Sequence, residues 1–165
     1  AQNLAAVVLS GYIYTSTDAG VTWTERTDAG SRDWESIASS SDGRPGPPVP
    51  TPTWTEQTDA GVRDWASIAS SSDGTNLAAV VLSGYIYTST DGGATWIERT
   101  DAGSRDWVSI ASSSDGTNLA AVQTSDQGGS IWTSTDAGAT WTERTDAGTR
   151  NWVSIASSSD GTVRV

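Results

Sequence analysis

Four glutamates, Glu25, Glu56, Glu98 and Glu143, recur at one position of a repeated block, and four aspartates, Asp28, Asp59, Asp101 and Asp146, recur three residues further on. Carboxylate pairs are the groups that hydrolyse glycosides, one as acid and the other as nucleophile or base. That chemistry needs a few unlike groups converging on one point, with environments that push their pKa values apart. Equivalent residues in every repeat point instead to turns and to bonds between repeats, so no catalytic residue is assigned. The other reactive groups are scarce. The 165 residues contain no His, Cys, Lys, Met or Phe, and all nine basic residues are Arg. A Ser-His-Asp triad, a thiol nucleophile, the usual zinc sites, disulfides, a Schiff base and a P-loop are therefore excluded. Neither a metal nor a cofactor is expected. The one acidic loop unique to a single repeat, Thr124–Gly129, does not match a calcium-binding loop. Detectable glycosidase turnover, abolished by a single Glu→Gln change, would be needed to revive an enzymatic reading.

Nine Trp and four Tyr could stack on sugar rings if their faces are exposed. Trp34, Trp65, Trp107 and Trp152 open apolar segments and are expected in the core. Tyr12, Tyr14, Tyr85, Tyr87 and Trp132 are the candidates for an exposed stripe, against packing between repeats. Arg26, Arg99 and Arg144 share one repeat position, while Arg32, Arg63, Arg105 and Arg150 share another. Ion pairs with neighbouring acids, such as Arg105 with Asp106, are expected for them.

The net charge of −11 argues against nucleic acid and against an anionic membrane surface. Apolar runs reach only six residues, as in Leu4–Leu9, where a membrane helix needs about 20, so no membrane insertion is expected. No charged-then-apolar leader opens the chain, and Ala1 in place of Met fits a trimmed one. A surface rich in Ser, Thr, Asp and Gly and devoid of Lys suits an extracellular or cell-surface location.

Self-similarity organises all these residues. Thr-Trp-x-Glu-(Arg/Gln)-Thr-Asp-Ala-Gly begins at Thr22, Thr53, Thr95 and Thr140, and Trp-x-Ser-Ile-Ala-Ser-Ser-Ser-Asp-Gly begins at Trp34, Trp65, Trp107 and Trp152. Both series are spaced 31, 42 and 45 residues apart. The units run 1–43, 44–74, 75–116 and 117–161 within a single repeat domain, 1–165. A full unit reads as four short strands: Trp65–Ser70, Asn76–Leu82, Tyr85–Thr90 and Thr95–Thr100. Asp73-Gly74 predicts a type I′ hairpin turn, and the apolar run after it predicts a strand buried on both faces. Four strands in about 42 residues fit a β-propeller blade.

The connection between third and fourth strands resembles the Asp-box, or BNR, repeat, Ser-x-Asp-x-Gly-x-Thr-Trp. It reads Ser16, Asp18, Gly20, Thr22, Trp23; then Ser89, Asp91, Gly93, Thr95, Trp96; then Ser134, Asp136, Gly138, Thr140, Trp141. The second unit keeps only Thr53-Trp54. Such hairpins occur in the propellers of sialidases, sortilin-like receptors, some glycoside hydrolases and a photosystem assembly factor. The resemblance implies a blade, not a reaction. It also implies that Asp binds its own turn, that Gly permits the tight conformation and that Trp packs inside the blade. A sialidase would further require an Arg cluster and a Tyr–Glu nucleophile pair in distinct blade contexts, which these repeats lack.

The expected fold is thus all-β, with propeller-type blades of four antiparallel strands, about four per chain, one of them incomplete. The chain begins at strand two of a blade, and Trp152–Ser157 is expected to close the ring by supplying its strand one. Thr162-Val-Arg-Val is placed to start a competing strand two. In the incomplete blade, five prolines fill 44–53, where strands two and three should lie. Three roles are open to that segment: a plain connection, a separator between partial modules completed by neighbouring chains, or a docking arm with O-linked sugar on Thr51 and Thr53. The expected function is a non-enzymatic extracellular structural module that self-assembles into a homo-oligomer or polymer, as rings or filaments. The alternative is a lectin-like or receptor-like module reading glycan or protein through its loop face. An engineered array without a ligand is a third reading, because the repeats diverge so little.

Overall fold

The computed structural model describes residues 4–38 and 55–162. Eleven strands form three antiparallel sheets among these residues. The first holds β1 (Leu4–Val7), β2 (Ile13–Ser16) and β3 (Thr24–Arg26) in that order. The second runs β4 (Trp65–Ser70), β5 (Leu77–Val81), β6 (Ile86–Ser89), β7 (Ile97–Arg99). In the third, β8 (Asp106–Ser112), β9 (Leu119–Thr124), β10 (Ile131–Ser134) and β11 (Thr142–Arg144) follow in sequence order. Each full sheet is a meander matching the four expected strands, trimmed by a residue or two at most ends.

The turn chemistry differs from the expected type I′. Asp73 keeps a negative φ, and only Gly74 enters the left-handed region, at +74°. The Gly74 N–H donates to the Ser71 carbonyl at 3.1 Å, and the Ser71 N–H closes the hairpin on the Asn76 carbonyl at 2.8 Å. This is a type I-like turn followed by a left-handed Gly. The Asp73 side chain takes up the loop's spare donors, the Ser71 hydroxyl at 2.6 Å and the Thr75 N–H at 3.0 Å.

Small residues set the spacing of the sheets. Ala78, Ala79, Ala120 and Ala121 are buried in β5 and β9, so neighbouring sheets approach closely. β8 lies against both β4 and β5. The central cluster gathers Val80, Ile86, Ile110, Leu119, Trp132 and Trp141 around Trp107, which is fully buried. The Leu-Ala-Ala-Val runs are buried on both faces in β5 and β9, as expected.

Two architectural expectations are corrected. The ring does not close within the described residues: Trp152–Ser157 joins no ladder with β1, and of its residues Ser157 alone stands in a β-bridge. The segment lies on the third sheet instead, where Ile155 packs with Ala111, Ala120 and Val122 and its N–H meets the Ser109 hydroxyl at 3.3 Å. The incomplete blade forms no sheet among the described residues either, since neither 34–38 nor 55–58 is in a strand. The described residues thus hold two four-stranded sheets and one of three strands. Thr51, Thr53 and the whole Pro-rich segment 44–53, with Trp54, lie outside the described residues, as do 163–165.

Replacing Trp107 by Ala should lower the unfolding free energy by about 3–5 kcal/mol, because the cavity lies where three sheet elements meet. Val62→Ala, at a fully exposed position, should leave the urea midpoint unchanged.

Candidate functional site

Each Ser-x-Asp-x-Gly-x-Thr-Trp loop closes on its own carboxylate. Asp91 accepts the Ser89 hydroxyl at 2.8 Å, the Thr95 N–H at 2.9 Å and the Thr95 hydroxyl at 2.7 Å. The Ser89 oxygen in turn accepts the Gly93 N–H at 2.9 Å, and the Trp96 indole N–H donates to the Gly93 carbonyl at 2.9 Å. Asp18 and Asp136 repeat the pattern with Ser16, Gly20, Thr22 and Trp23, and with Ser134, Gly138, Thr140 and Trp141. These bonds, first those from the Thr hydroxyls, hold Asp18, Asp91 and Asp136 down at about 2. Asp160, in a Ser-Asp-Gly turn, is also held at about 2, chiefly by the Ser158 hydroxyl. The carboxylates are committed to their own loops.

A second set of carboxylates reaches across repeats. Asp59 Oδ2 accepts the Trp96 backbone N–H at 2.7 Å, and Asp101 Oδ2 accepts that of Trp141 at 2.7 Å. The neighbouring Ala60 and Ala102 are buried, while the two aspartates themselves are exposed. Further bonds link the inner turns: Ser72 N–H to Ser114 carbonyl and Ser114 N–H to Ser159 carbonyl, both at 2.7 Å. Asn76 and Asn118 amides donate to the carbonyls of Asp115 and Asp160, at 3.0 and 3.1 Å. The recurrence of Asp at one repeat position was the sequence signal for these bonds. Which repeat each Asp would serve was not in the sequence.

The glutamates pair with aromatic hydroxyls. Tyr14 donates to Glu25 at 2.6 Å across β2 and β3, and Tyr87 donates to Glu98 across β6 and β7. Burial first, and then this bond, push the Tyr87 phenol up to about 12; the Tyr14 phenol is raised chiefly by Glu25. A phenol held neutral is the reverse of an activated nucleophile. In the third sheet the residue opposite Glu143 is Trp132, and Ser130 donates to Glu143 at 2.6 Å instead.

The arginines do not form the expected neighbour pairs. Arg105 lies over the Trp132 ring at 4.5 Å and donates to the Ala102 carbonyl, while Asp106 accepts from Ser83. Arg63 lies over Tyr87 at 4.6 Å in the same way. Delocalised guanidinium prefers an aromatic face where carboxylates already have hydroxyl donors. Arg26, Arg99 and Arg144 donate to Thr15, Thr88 and Thr133. Among the described residues the one salt bridge is Arg32–Glu56 at 3.2 Å, both side chains more than half exposed. The Thr124–Gly129 loop closes on itself through Ser125 and Gly128, and no cluster of metal-ligating residues exists among the described residues.

The aromatic residues are not equivalent. The Trp of the Asp-containing loop is 44 % exposed at Trp23, intermediate at Trp96 and 6 % exposed at Trp141. Trp23, and to a lesser degree Trp96, therefore depart from the expected core role. Tyr87 and Trp132 are buried, whereas Tyr12, Tyr14 and Tyr85 are half-buried, so no continuous exposed stripe forms. An open concavity of about 770 Å³ lies between residues 32–36 and β4, with Trp34, Trp65 and Trp96 in its wall. Trp65 stands 6.1 Å from Trp96 and edge-on to Tyr87 at 5.2 Å.

The chain is similar in structure to solved β-propeller proteins, and its fold is propeller-like. YCF48 bound to D1 peptide aligns with a TM-score of 0.57 at 16% identity, over 95% of this chain and 54% of that one. An ancestral GH74 enzyme aligns over 94% of this chain and 18% of its own, at 17% identity and a TM-score of 0.49. For the GH74 xyloglucanase from Xanthomonas campestris the values are 94%, 23%, 15% and 0.44. The chain spans about half the length, or less, of these structures. No family model matches the sequence, and no curated protein matches it. No helix among the described residues is long and apolar enough to cross a membrane.

Two measurements check the loop chemistry. The folded pKa of Asp18, Asp91, Asp136 and Asp160 lies below the unfolded value near 3.9, so their stabilisation is complete above about pH 4 and is lost as pH falls through about 2. Tyr87 acts oppositely: its contribution is present below about pH 10 and is lost as pH rises through about 12. Urea midpoints against pH should be flat between these limits and fall beyond both. Second, Ala137 holds a φ of +56° where the second sheet has Gly92 at +69°. Ala137→Gly should therefore raise stability by about 0.5–1 kcal/mol, read from the urea midpoint.

Proposed function

We propose that the protein is a non-enzymatic, extracellular structural module that self-assembles by extending its own repeat-to-repeat contact. The observation carrying this reading is that the contact has two unlike halves and each is bare at one end of the array. The donor half, an Asp-box Trp N–H, is covered at Trp96 and Trp141, but no Asp carboxylate faces that of Trp23 among the described residues. The acceptor half is engaged at Asp59 and Asp101, whereas Asp146 has no partner among the described residues. Unlike halves at opposite ends make a heterologous contact, which propagates into rings or open filaments. The closure of each loop on Ser, Gly, Thr and Trp supports reading the loops as Asp-box hairpins. The neutral Tyr–Glu pairs and committed carboxylates support a non-enzymatic role.

A second reading, a lectin-like or receptor-like module, is favoured by the Trp-walled groove beside β4, and YCF48 was solved with a bound peptide. Light scattering across a wide concentration range separates the two. Self-assembly predicts a mass rising above 17.1 kDa with concentration, and rising further with added salt, because the net charge of −11 makes copies repel. A constant 17.1 kDa would leave the groove as the functional surface.

A further inference from the structure

We infer that copies join by strand donation: segment 146–157 of one copy completes the three-stranded sheet β1–β2–β3 of a second copy of this chain. The inference rests on the self-assembly reading and names its contact.

Within the array, one continuous segment does two jobs for one sheet. Residues 101–112 place Asp101 on the Trp141 N–H of the third sheet and supply β8, which pairs with β9. Residues 59–70 serve the second sheet alike, through Asp59 on Trp96 and through β4 on β5. The first sheet has no such segment. Among the described residues its β1 has one edge without a ladder, no carboxylate meets the Trp23 N–H, and Leu4 is 41 % exposed where its equivalent Leu119 is 3 % exposed. Segment 146–157 is the converse: Arg150 bridges Gly129 as Arg105 bridges Gly84, and Ser157 stands in a β-bridge, but 152–156 joins no sheet among the described residues. Asp146 and Trp152 keep the spacing of Asp101 and Trp107. The turn at Gly148 repeats that at Gly103, with φ of +71° against +79°. Its outer side is open, with Val153 82 % exposed and Ser154 and Ala156 also exposed.

The occupant follows from register. β8 pairs Ser109, Ile110, Ala111 and Ser112 with Val122, Ala121, Ala120 and Leu119. The same residue types across copies would place Ser154, Ile155, Ala156 and Ser157 opposite Val7, Ala6, Ala5 and Leu4. Asp146 would then reach the Trp23 N–H, and the edge of β1 would gain a ladder. The rival donor in a second copy is segment 28–38. It is less suited, because Asp28 already has a partner and Arg32 is bonded to Glu56. Donation within one chain is not seen: among the described residues no ladder joins 152–157 to β1.

The absence of Cys makes the register testable without background. The variant Ala5→Cys/Ala156→Cys puts thiols at paired positions, whose Cα separation of about 4.5–5.5 Å in antiparallel strands suits a disulfide. Under oxidised glutathione it should give a ladder of covalent multimers on a non-reducing gel. Ala5→Cys/Ala38→Cys, which reports the rival donor, should stay monomeric. A fast-migrating oxidised monomer of the first variant would overturn the inference in favour of closure within one chain. A ladder only from the Ala38 variant would overturn it in favour of the rival segment. Wild-type mass growth without a ladder from either would overturn this contact while leaving self-assembly standing. A wild-type chain fixed at 17.1 kDa would overturn both.

Discussion

The bond from an aspartate in one repeat to the backbone N–H of a tryptophan in the next is the contact on which the array depends. Asp101, just past the last strand of the second sheet, holds the Trp141 N–H of the third, and Asp59 holds that of Trp96; each bond joins a carboxylate acceptor rooted in a tight turn to a donor on rigid backbone. Charge-assisted bonds to backbone N–H are shorter and stronger than neutral ones, and here they stand beside buried alanine. Around them the sheets close on small residues: Ala78, Ala79, Ala120 and Ala121 leave no bulk to hold the layers apart. Burial of these tryptophans is graded along the array. Trp141, held by Asp101, is buried, Trp96, held by Asp59, is intermediate, and Trp23, with no such bond among the described residues, is the most exposed of the three.

That geometry accounts for an acidic chain with little room for acid–base chemistry. Asp18, Asp91 and Asp136 satisfy their own loops, Asp73, Asp115 and Asp160 satisfy inner turns, and Asp59 and Asp101 satisfy the next repeat. Glu25 and Glu98 accept tyrosine hydroxyls across adjacent strands. Each of these carboxylates acts as an acceptor for donors that the strands and turns would otherwise leave unpaired. Arginine, with few free carboxylates near it, settles on aromatic faces and threonine hydroxyls. A cation over a ring also covers apolar surface with its stem, so Arg63 and Arg105 shield Tyr87 and Trp132 from water.

The repeat that departs from the pattern carries the same lesson in reverse. Residues 34–38 and 55–58 keep the sequence of a first and a fourth strand, yet neither enters a sheet, because a first strand needs the Leu-Ala-Ala-Val strand to pair with and a fourth needs the third. Their Trp34 contributes instead to the groove against β4. The C-terminal segment behaves likewise. Trp152–Ala156 has the residues of β8, and without a neighbour to complete it remains an unpaired chain lying on the third sheet.

Sequence alone determined the strands, their order within a blade, the loop chemistry of Ser16, Asp18, Thr22 and their repeats, and the scaffold role of the recurrent acids. These are local properties, set by alternation, by turn residues and by hydroxyls within five residues of their carboxylate. Tertiary structure decided what each repeat met on its far side. It chose cation–π contacts over the Arg105–Asp106 pair, left Trp23 uncovered while burying Trp141, bent the Asp73-Gly74 turn away from type I′, and left the ring open. Identical residues acquired different roles because burial and pairing depend on the neighbouring repeat, and repeat spacing cannot specify whether that neighbour is present.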